Sequence, residues 1–295
     1  MLTDNLILGS NSFTGTSHFS SQMAREKLAG LSDESIVAVI DAAIESGATA
    51  INLSPGKRLY RVLSLMKTNG YEREFGVYLM LPDLERFRDA MLNGGTVAVM
   101  KEVFSELGWV DRFAVAAHGA NALMSSDYTG LLETYLGLEI RKLKRILPHH
   151  ARLDCIMSHE QMTDLAIGLD ANQLLGEFAK LVPKYGAVPG FVTRNFPLFV
   201  RYLEKHHISA EEAVIMTPFN KLGYQMVPSR GECERALNHL ASRRVVAMSV
   251  FAGGRLGLEE GMGYLRSLRG IDSIVVGTSS VSHARESFGR LRHLF

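Results

Sequence analysis

Short runs of nearly continuous apolar character alternate along this chain with longer stretches whose apolar residues recur every three or four positions. The short runs are Leu6–Gly9, Thr49–Leu53, Phe75–Leu81, Arg112–Ala117, Leu153–Met157, Val188–Thr193, Ala213–Thr217, Val245–Val250 and Ser273–Val276. Their length and β-branched content fit strands buried on both faces. Ser32–Gly47 reads as a helix. Ser32 can cap it, Asp33 and Glu34 suit its positive end, Ile36, Val39, Ile40, Ala43 and Ile44 form one stripe, and Gly47 stops it. Leu131–Leu147 repeats the pattern and ends at Pro148; Leu59–Lys67, Leu174–Lys184, Pro197–His206, Glu232–Ser242, Glu259–Leu268 and Ser282–Leu294 are the remaining helical stretches.

Strand followed by helix, repeated, requires a parallel sheet, because each crossover between parallel neighbours needs a helix-sized connection. Eight such units without a linker predict an α/β fold, a closed (β/α)8 TIM barrel forming one domain over residues 1–295. There are nine candidate strands, one too many, and Phe75–Leu81 and Arg112–Ala117 are the two that compete for exclusion. No Gly-x-Gly-x-x-Gly turn follows an early strand, which disfavours a Rossmann sheet.

Composition narrows the class further. Hydrophobic residues are 46% of 295 and charged residues 21%, enough apolar content for a sizeable core. The formal charge of +1 provides no global attraction to nucleic acid. Cys155 and Cys233, the only cysteines, offer neither a disulfide framework nor a structural zinc site. The first basic residue is Arg25, and no apolar run approaches the roughly 20 residues that span a bilayer. The expectation is a soluble, cytoplasmic protein with a small-molecule substrate, no nucleic-acid or membrane partner, room for a homo-oligomer, and exposed apolar loop residues Phe219, Tyr224 and Met226 that serve either as a subunit contact or as a pocket wall.

A barrel places its chemistry at the C-terminal strand ends. Those positions here are rich in polar residues: Asn11 and Ser12, Asn52 and Ser54, Asp83, His118 and Asn121, His159 and Glu160, Thr193, Arg194 and Asn195, then Thr217 and Asn220. Turn formation alone also favours such residues at strand ends, so the set carries more weight than any member. His159 and His118 are candidate proton donors or polarisers, with Asn52 nearby; Asn11, Arg194, Asn195 and Asn220 are candidate substrate contacts. No His-x-His or His-x-x-x-His spacing supports a metal site, and none is expected. His18, in the small hydroxyl-rich loop after the first strand, can contribute to a cover. The last two loops read as an anion site. Gly253 and Gly254 allow close backbone approach and Arg255 adds charge, while Gly277, Thr278, Ser279 and Ser280 lead into a helix whose N-terminus favours a phosphate.

Several of these segments together resemble the aldo-keto reductase family. Leu153-Asp154-Cys155-Ile156-Met157-Ser158-His159 is similar to its strand ending in the active-site histidine. Gly190-Phe191-Val192-Thr193-Arg194-Asn195-Phe196 resembles its Gly-Val-Ser-Asn-Phe strand end. Ile274-Val275-Val276-Gly277-Thr278-Ser279-Ser280, with Arg285 and Glu286 downstream, resembles its last strand and the loop and helix that bind the cofactor's adenosine phosphate. Leu8-Gly9-Ser10-Asn11-Ser12-Phe13 and Gly47-Ala48-Thr49-Ala50-Ile51-Asn52 resemble its first two strands. The resemblance implies an aldo-keto-reductase-like barrel, NADP(H) held by the last two loops with Arg285, and oxidoreductase activity.

The chain departs from the family's Asp–Tyr–Lys–His group. Asn52 stands where the aspartate falls, Lys57 where the tyrosine falls, with Tyr60 three residues further, and the strand that should end in lysine ends in Leu81-Pro82 or Ala117-His118. A tyrosine near its ordinary pKa of about 10 is a poor acid at neutral pH. A lyase or isomerase acting on a phosphorylated or carboxylated small molecule, and a ligand-binding barrel without chemistry, are therefore carried beside the oxidoreductase reading.

Overall fold

In a computed structural model, which describes residues 5–14, 31–82, 128–208, 213–240 and 244–294, eight parallel strands close into a ring in chain order. They are β1 (Leu6–Gly9), β2 (Ala50–Leu53), β3 (Phe75–Leu81), β4 (Ala151–Ser158), β5 (Val188–Val192), β6 (Val214–Pro218), β7 (Arg244–Met248) and β8 (Ser273–Gly277). The ring closes where Gly9 pairs with Gly277. Phe75–Leu81 is a full member, paired to β2 on one side and β4 on the other. Arg112–Ala117 lies outside the described residues, and the eight-stranded ring closes without it.

Around the ring the described helices are α1 (Asn11–Thr14), α2 (Asp33–Glu45), α3 (Lys57–Thr68), α4 (Tyr128–Ile146), α5 (Glu160–Gly168), α6 (Asn172–Leu181), α7 (Phe196–Lys205), α8 (Arg230–His239), α9 (Leu258–Ser267) and α10 (Val281–Leu291). Ser32 caps α2 as its sequence predicts, its side chain accepting from the Ser35 amide. The stretch expected to run to Lys184 leaves the α-helix at Leu181, where Pro183, which has no N–H, accompanies a tighter turn over Val182–Tyr185. Helix α5 is not visible in the apolar pattern. It buries Thr163, Ala166 and Ile167 while leaving Leu165 and Leu169 exposed, so its hydrophobic stripe is blurred on both faces.

Two apolar clusters follow from the alternation of side chains along each strand. Leu8, Ile51, Leu79, Ile156, Phe191, Ile215 and Ile274 point outward and pack under the helices. Ile7, Ala50, Tyr78, Cys155, Met157, Val192, Met216 and Val246 fill the interior. In β4 the alternation is interrupted. The register steps from Val77↔Leu153 to Tyr78↔Cys155, leaving Asp154 as an extra residue. Leu153 therefore packs outward while Cys155, two residues on, packs inward. A one-residue bulge reverses which face the following side chains occupy. It puts Cys155 and Met157 inside, with His159 next in phase, and the ladder continues to that residue through its amide donating to the Leu81 carbonyl at 2.7 Å.

Phe219 and Met226, expected from sequence to be exposed loop residues, are buried in the outer cluster at 0% and 4% exposure. They fold under their own loop, and an oligomer contact through them is not available. Gly190 on β5 is required by packing: a Cβ there would meet Cys155 Sγ at 2.8 Å and Met157 Cγ at 2.9 Å. Gly190→Ala should destabilise the barrel by about 1–3 kcal/mol, measured by urea denaturation. An unchanged midpoint would show that the interior is not packed as described.

Candidate active site

The described candidate residues other than Tyr60 and Arg285 gather at the C-terminal ends of the strands. Three serine and threonine contacts knit β1, β2 and β8 together there. The Ser10 amide donates to the Asn52 carbonyl at 3.2 Å, the Ser54 amide to Ser10 Oγ at 3.1 Å, and Ser12 Oγ to the Thr278 carbonyl at 2.6 Å. Asn11 is exposed on the first turn beside them. Asn52 is buried, its amide donating to the Tyr78 carbonyl at 3.2 Å and lying 4.0 Å from Met157 Sδ. It thus faces the interior between β3 and β4.

His159 is the N-cap of α5. Its Nδ1 accepts from the Gln161 amide at 3.2 Å. An accepting Nδ1 leaves the ring proton on Nε2, so the neutral imidazole is a donor at that nitrogen. The same helix carries two carboxylates toward β5. Glu160 pairs with Arg194, and Asp164 Oδ1 accepts from Thr193 Oγ1 at 2.5 Å while Oδ2 accepts from the Arg194 amide at 3.2 Å. Burial pushes the Asp164 carboxyl above the usual carboxylate range, the two donors pull against it, and the nearby Glu160 charge adds to the rise. Thr193 in turn accepts from the Asn195 amide at 3.1 Å. The ends of β4 and β5 are clasped by these contacts.

Sequence reasoning placed several of these residues as ligand contacts, and the structure shows polar atoms of each bonded to the scaffold. Asn195 caps α7 by accepting from the Leu198 amide. Asn220 is fully buried and closes its own loop, donating to the Tyr224 carbonyl and accepting from the Tyr224 amide, both at 2.8 Å. Arg194 turns to Glu160. Tyr60 is not at the mouth: its hydroxyl donates to Glu139 on α4 at 3.1 Å, and Lys142 lies 2.8 Å from the same carboxylate, so Tyr60 helps satisfy a buried acid in the helix layer. Lys57, exposed, begins α3. His118, Asp83, Asn121 and His18 lie outside the described residues.

The last two loops divide in the same way. Ala252, Gly253 and Gly254 all have positive φ, at 47°, 71° and 91°, and the two glycines are exposed. Nothing lies within 4 Å of where a Gly254 Cβ would project. The Arg255 guanidinium sits 5.4 Å from the Tyr224 ring centre, and Ser249 Oγ donates to Gln225 at 3.1 Å, so this loop is tied to the one after β6. Ser280 caps α10 by accepting from the His283 amide, and Thr278 Oγ1 lies 3.4 Å from the Ser280 carbonyl. Arg285 points elsewhere. It pairs at 3.7 Å with Glu45 at the end of α2, which Arg73 also contacts, on the flank of the barrel. Asp164 was not singled out by sequence, and Glu160, Ser12 and Ser54 were named there only as polar strand-end residues; the Glu-x-x-x-Asp spacing would have marked one helical face had α5 been expected.

No protein-family model matches this sequence, and no curated protein matches it. Solved structures do resemble it. A Pseudomonas aeruginosa protein described as an aldo-keto reductase aligns over 100% of this chain and 91% of its own, with a TM-score of 0.59 and 15% identity. An aldo-keto reductase from Bacillus halodurans in its holo form aligns over 98% and 86%, with a TM-score of 0.57 and 11% identity. The glycerol dehydrogenase of Gluconobacter oxydans aligns over 98% and 86%, with a TM-score of 0.54 and 12% identity. The chain has the aldo-keto-reductase-like (β/α)8 barrel, and these likenesses carry the fold alone.

The raised Asp164 pKa has a signed consequence. A folded carboxyl held above its unfolded value of about 3.9 contributes most to stability when protonated. That contribution is lost as pH rises through the folded pKa. Asp164→Asn cannot ionise, so the stability of wild type relative to this variant should fall as pH rises from about 3.9 through the higher folded value, read by thermal denaturation. A pH-independent difference would show that the donors from Thr193 and Arg194 cancel the effect of burial, and a rise with pH that they outweigh it.

Proposed function

We propose that this barrel is an oxidoreductase that uses NADP(H) on a small carbonyl substrate, with His159 in place of a tyrosine as the group that polarises and protonates the substrate oxygen. The observation that carries the reading is the Gln161 amide on His159 Nδ1, which commits the ring proton to Nε2. Its place after Met157, in phase with the interior of β4, supports a donor aimed at the mouth. Asn52 lacks a charge, so it can orient a polar substrate group but not lower a neighbour's pKa as a carboxylate–lysine pair would.

The two final loops fit the cofactor's phosphates in part. Exposed Gly253 and Gly254 permit close backbone approach, Arg255 provides a cation, and Thr278, Ser279 and Ser280 open onto the N-terminus of α10, whose dipole favours an anion. Arg285 pairs with Glu45 on the exposed flank of the barrel at 3.7 Å, a surface contact weak enough to yield to a phosphate. Bound NADPH would supply the hydride. Glu160 and Asp164 hold the end of β5 against α5 and so keep the His159 turn in place.

A barrel that binds its ligand without chemistry is the second reading, and one observation favours it: the positions that bear the family's aspartate and tyrosine hold Asn52 and Lys57. The two readings part in one pair of measurements. NADPH should raise the melting temperature of the wild-type protein. His159→Asn retains an oxygen able to cap α5 but removes the Nε2 donor, so it should leave the melting temperature nearly unchanged and lower carbonyl reduction about 100-fold or more. Binding of NADPH without turnover would favour the second reading. Absence of any NADPH response, or full turnover by the variant, would sink the first.

A further inference from the structure

Backbone strain is concentrated in the loops after β6 and β7. Of the five non-glycine residues with positive φ among the described residues, three sit here: Gln225 at 61°, Ser249 at 54° and Ala252 at 47°. Residues other than glycine stay in the left-handed region only where their surroundings fix them, and such residues gather at ligand clamps. The fixing contacts run between the two loops. Ser249 Oγ donates to Gln225 Oε1 at 3.1 Å, and Gln225 Nε2 donates to the Tyr224 hydroxyl at 3.4 Å. The Tyr224 ring centre in turn lies 5.4 Å from the Arg255 guanidinium. Tyr224 and Gln225 therefore hold the β7 loop at both ends, at Ser249 where it leaves the strand and at Arg255 where it approaches α9.

The loop that does the holding is itself fixed. Buried Asn220 clasps both the amide and the carbonyl of Tyr224 at 2.8 Å, and the Val227 amide donates to the Arg194 carbonyl at 3.1 Å. The loop that is held is open in its middle. Gly253 and Gly254 are exposed, nothing lies within 4 Å of the Gly254 Cβ position, and the Gly253 amide makes no hydrogen bond among the described residues. Backbone donors grip an anion more tightly when their geometry is set in advance, because less conformational freedom is then lost on binding. A glycine pair has the most freedom to lose. We infer that Gln225 and Tyr224 are positioning residues for a phosphate on the β7 loop: neither touches the anion, and together they set the backbone that does. This rests on the anion reading of the final loops and adds two residues from a different loop to it.

The test is an NMR titration of the intact protein, isotopically labelled at glycine, with inorganic pyrophosphate, followed at the Gly253 and Gly254 amides. Melting temperatures are measured alongside. Pyrophosphate should shift both amides in the wild-type protein. Gln225→Met keeps the length of the side chain but removes the acceptor, and Ser249→Ala removes the donor. Each should raise the dissociation constant about 3- to 10-fold, and the double variant no further, since both changes break one hydrogen bond. Tyr224→Leu, which withdraws the ring from Arg255, should raise it about 3-fold, whereas Tyr224→Phe keeps the ring and most of the affinity. A contact that only stabilises the fold would lower the melting temperature and leave the titration midpoints unmoved, and that result would overturn the inference. Additive losses in the double variant would overturn it as well. If the wild-type glycine amides ignore pyrophosphate, the anion site itself is lost and the inference with it. Wild-type binding with unaltered midpoints in the variants removes the inference alone and leaves the site standing.

Discussion

The phase of β4 governs what this barrel can do. A strand shows alternate side chains to opposite faces, so the residue that follows it inherits whichever face the count dictates. In β4 the count is broken at Asp154, and everything after that point is turned by one position. Cys155 and Met157 enter the interior and His159 follows in step, while Leu153 stays with the helices. Without the extra residue, the same side chains would face the helix layer, and the histidine would have no access to a mouth.

The mouth is then built from contacts between neighbouring strand ends. Serines on the β1 turn bind the ends of β2 and β8, α5 binds the end of β5 through two carboxylates, and Gln225 and Tyr224 tie the loops after β6 and β7. Much of the polar character of the rim is used in this way. Asn195, Asn220 and Ser280 hold backbone donors that would otherwise be lost at helix ends and turns. Polar residues at strand ends therefore divide into those that make the rim and those that face a ligand, and only their hydrogen-bond partners distinguish the two.

Much of the architecture was legible beforehand. Runs such as Phe75–Leu81 and Ser273–Val276 are short and apolar throughout, which is what burial on both faces demands, and α2 announces both its cap and its stop. The surplus ninth run was not resolvable by pattern, because apolar character says that a segment is buried but not which neighbour it pairs with. Helix α5 was missed for a related reason. It exposes Leu165 and Leu169 and buries Thr163, so composition and burial disagree along it. With it was missed Asp164, and with Asp164 the pairing by which it and Glu160 hold Thr193 and Arg194.

What the linear order of residues determined is the repeat of strand and helix, the barrel it implies, and the strand ends where polar groups collect; each is a local property, set by periodicity and by the chemistry of turns. The assignment of those groups to tasks was decided only in three dimensions. Tyr60 meets Glu139, Arg285 meets Glu45, and the partners lie on different elements, distant in the chain. A hydrogen bond or ion pair depends on a separation of about 3 Å, and no property of a single segment encodes the distance to a residue on another one.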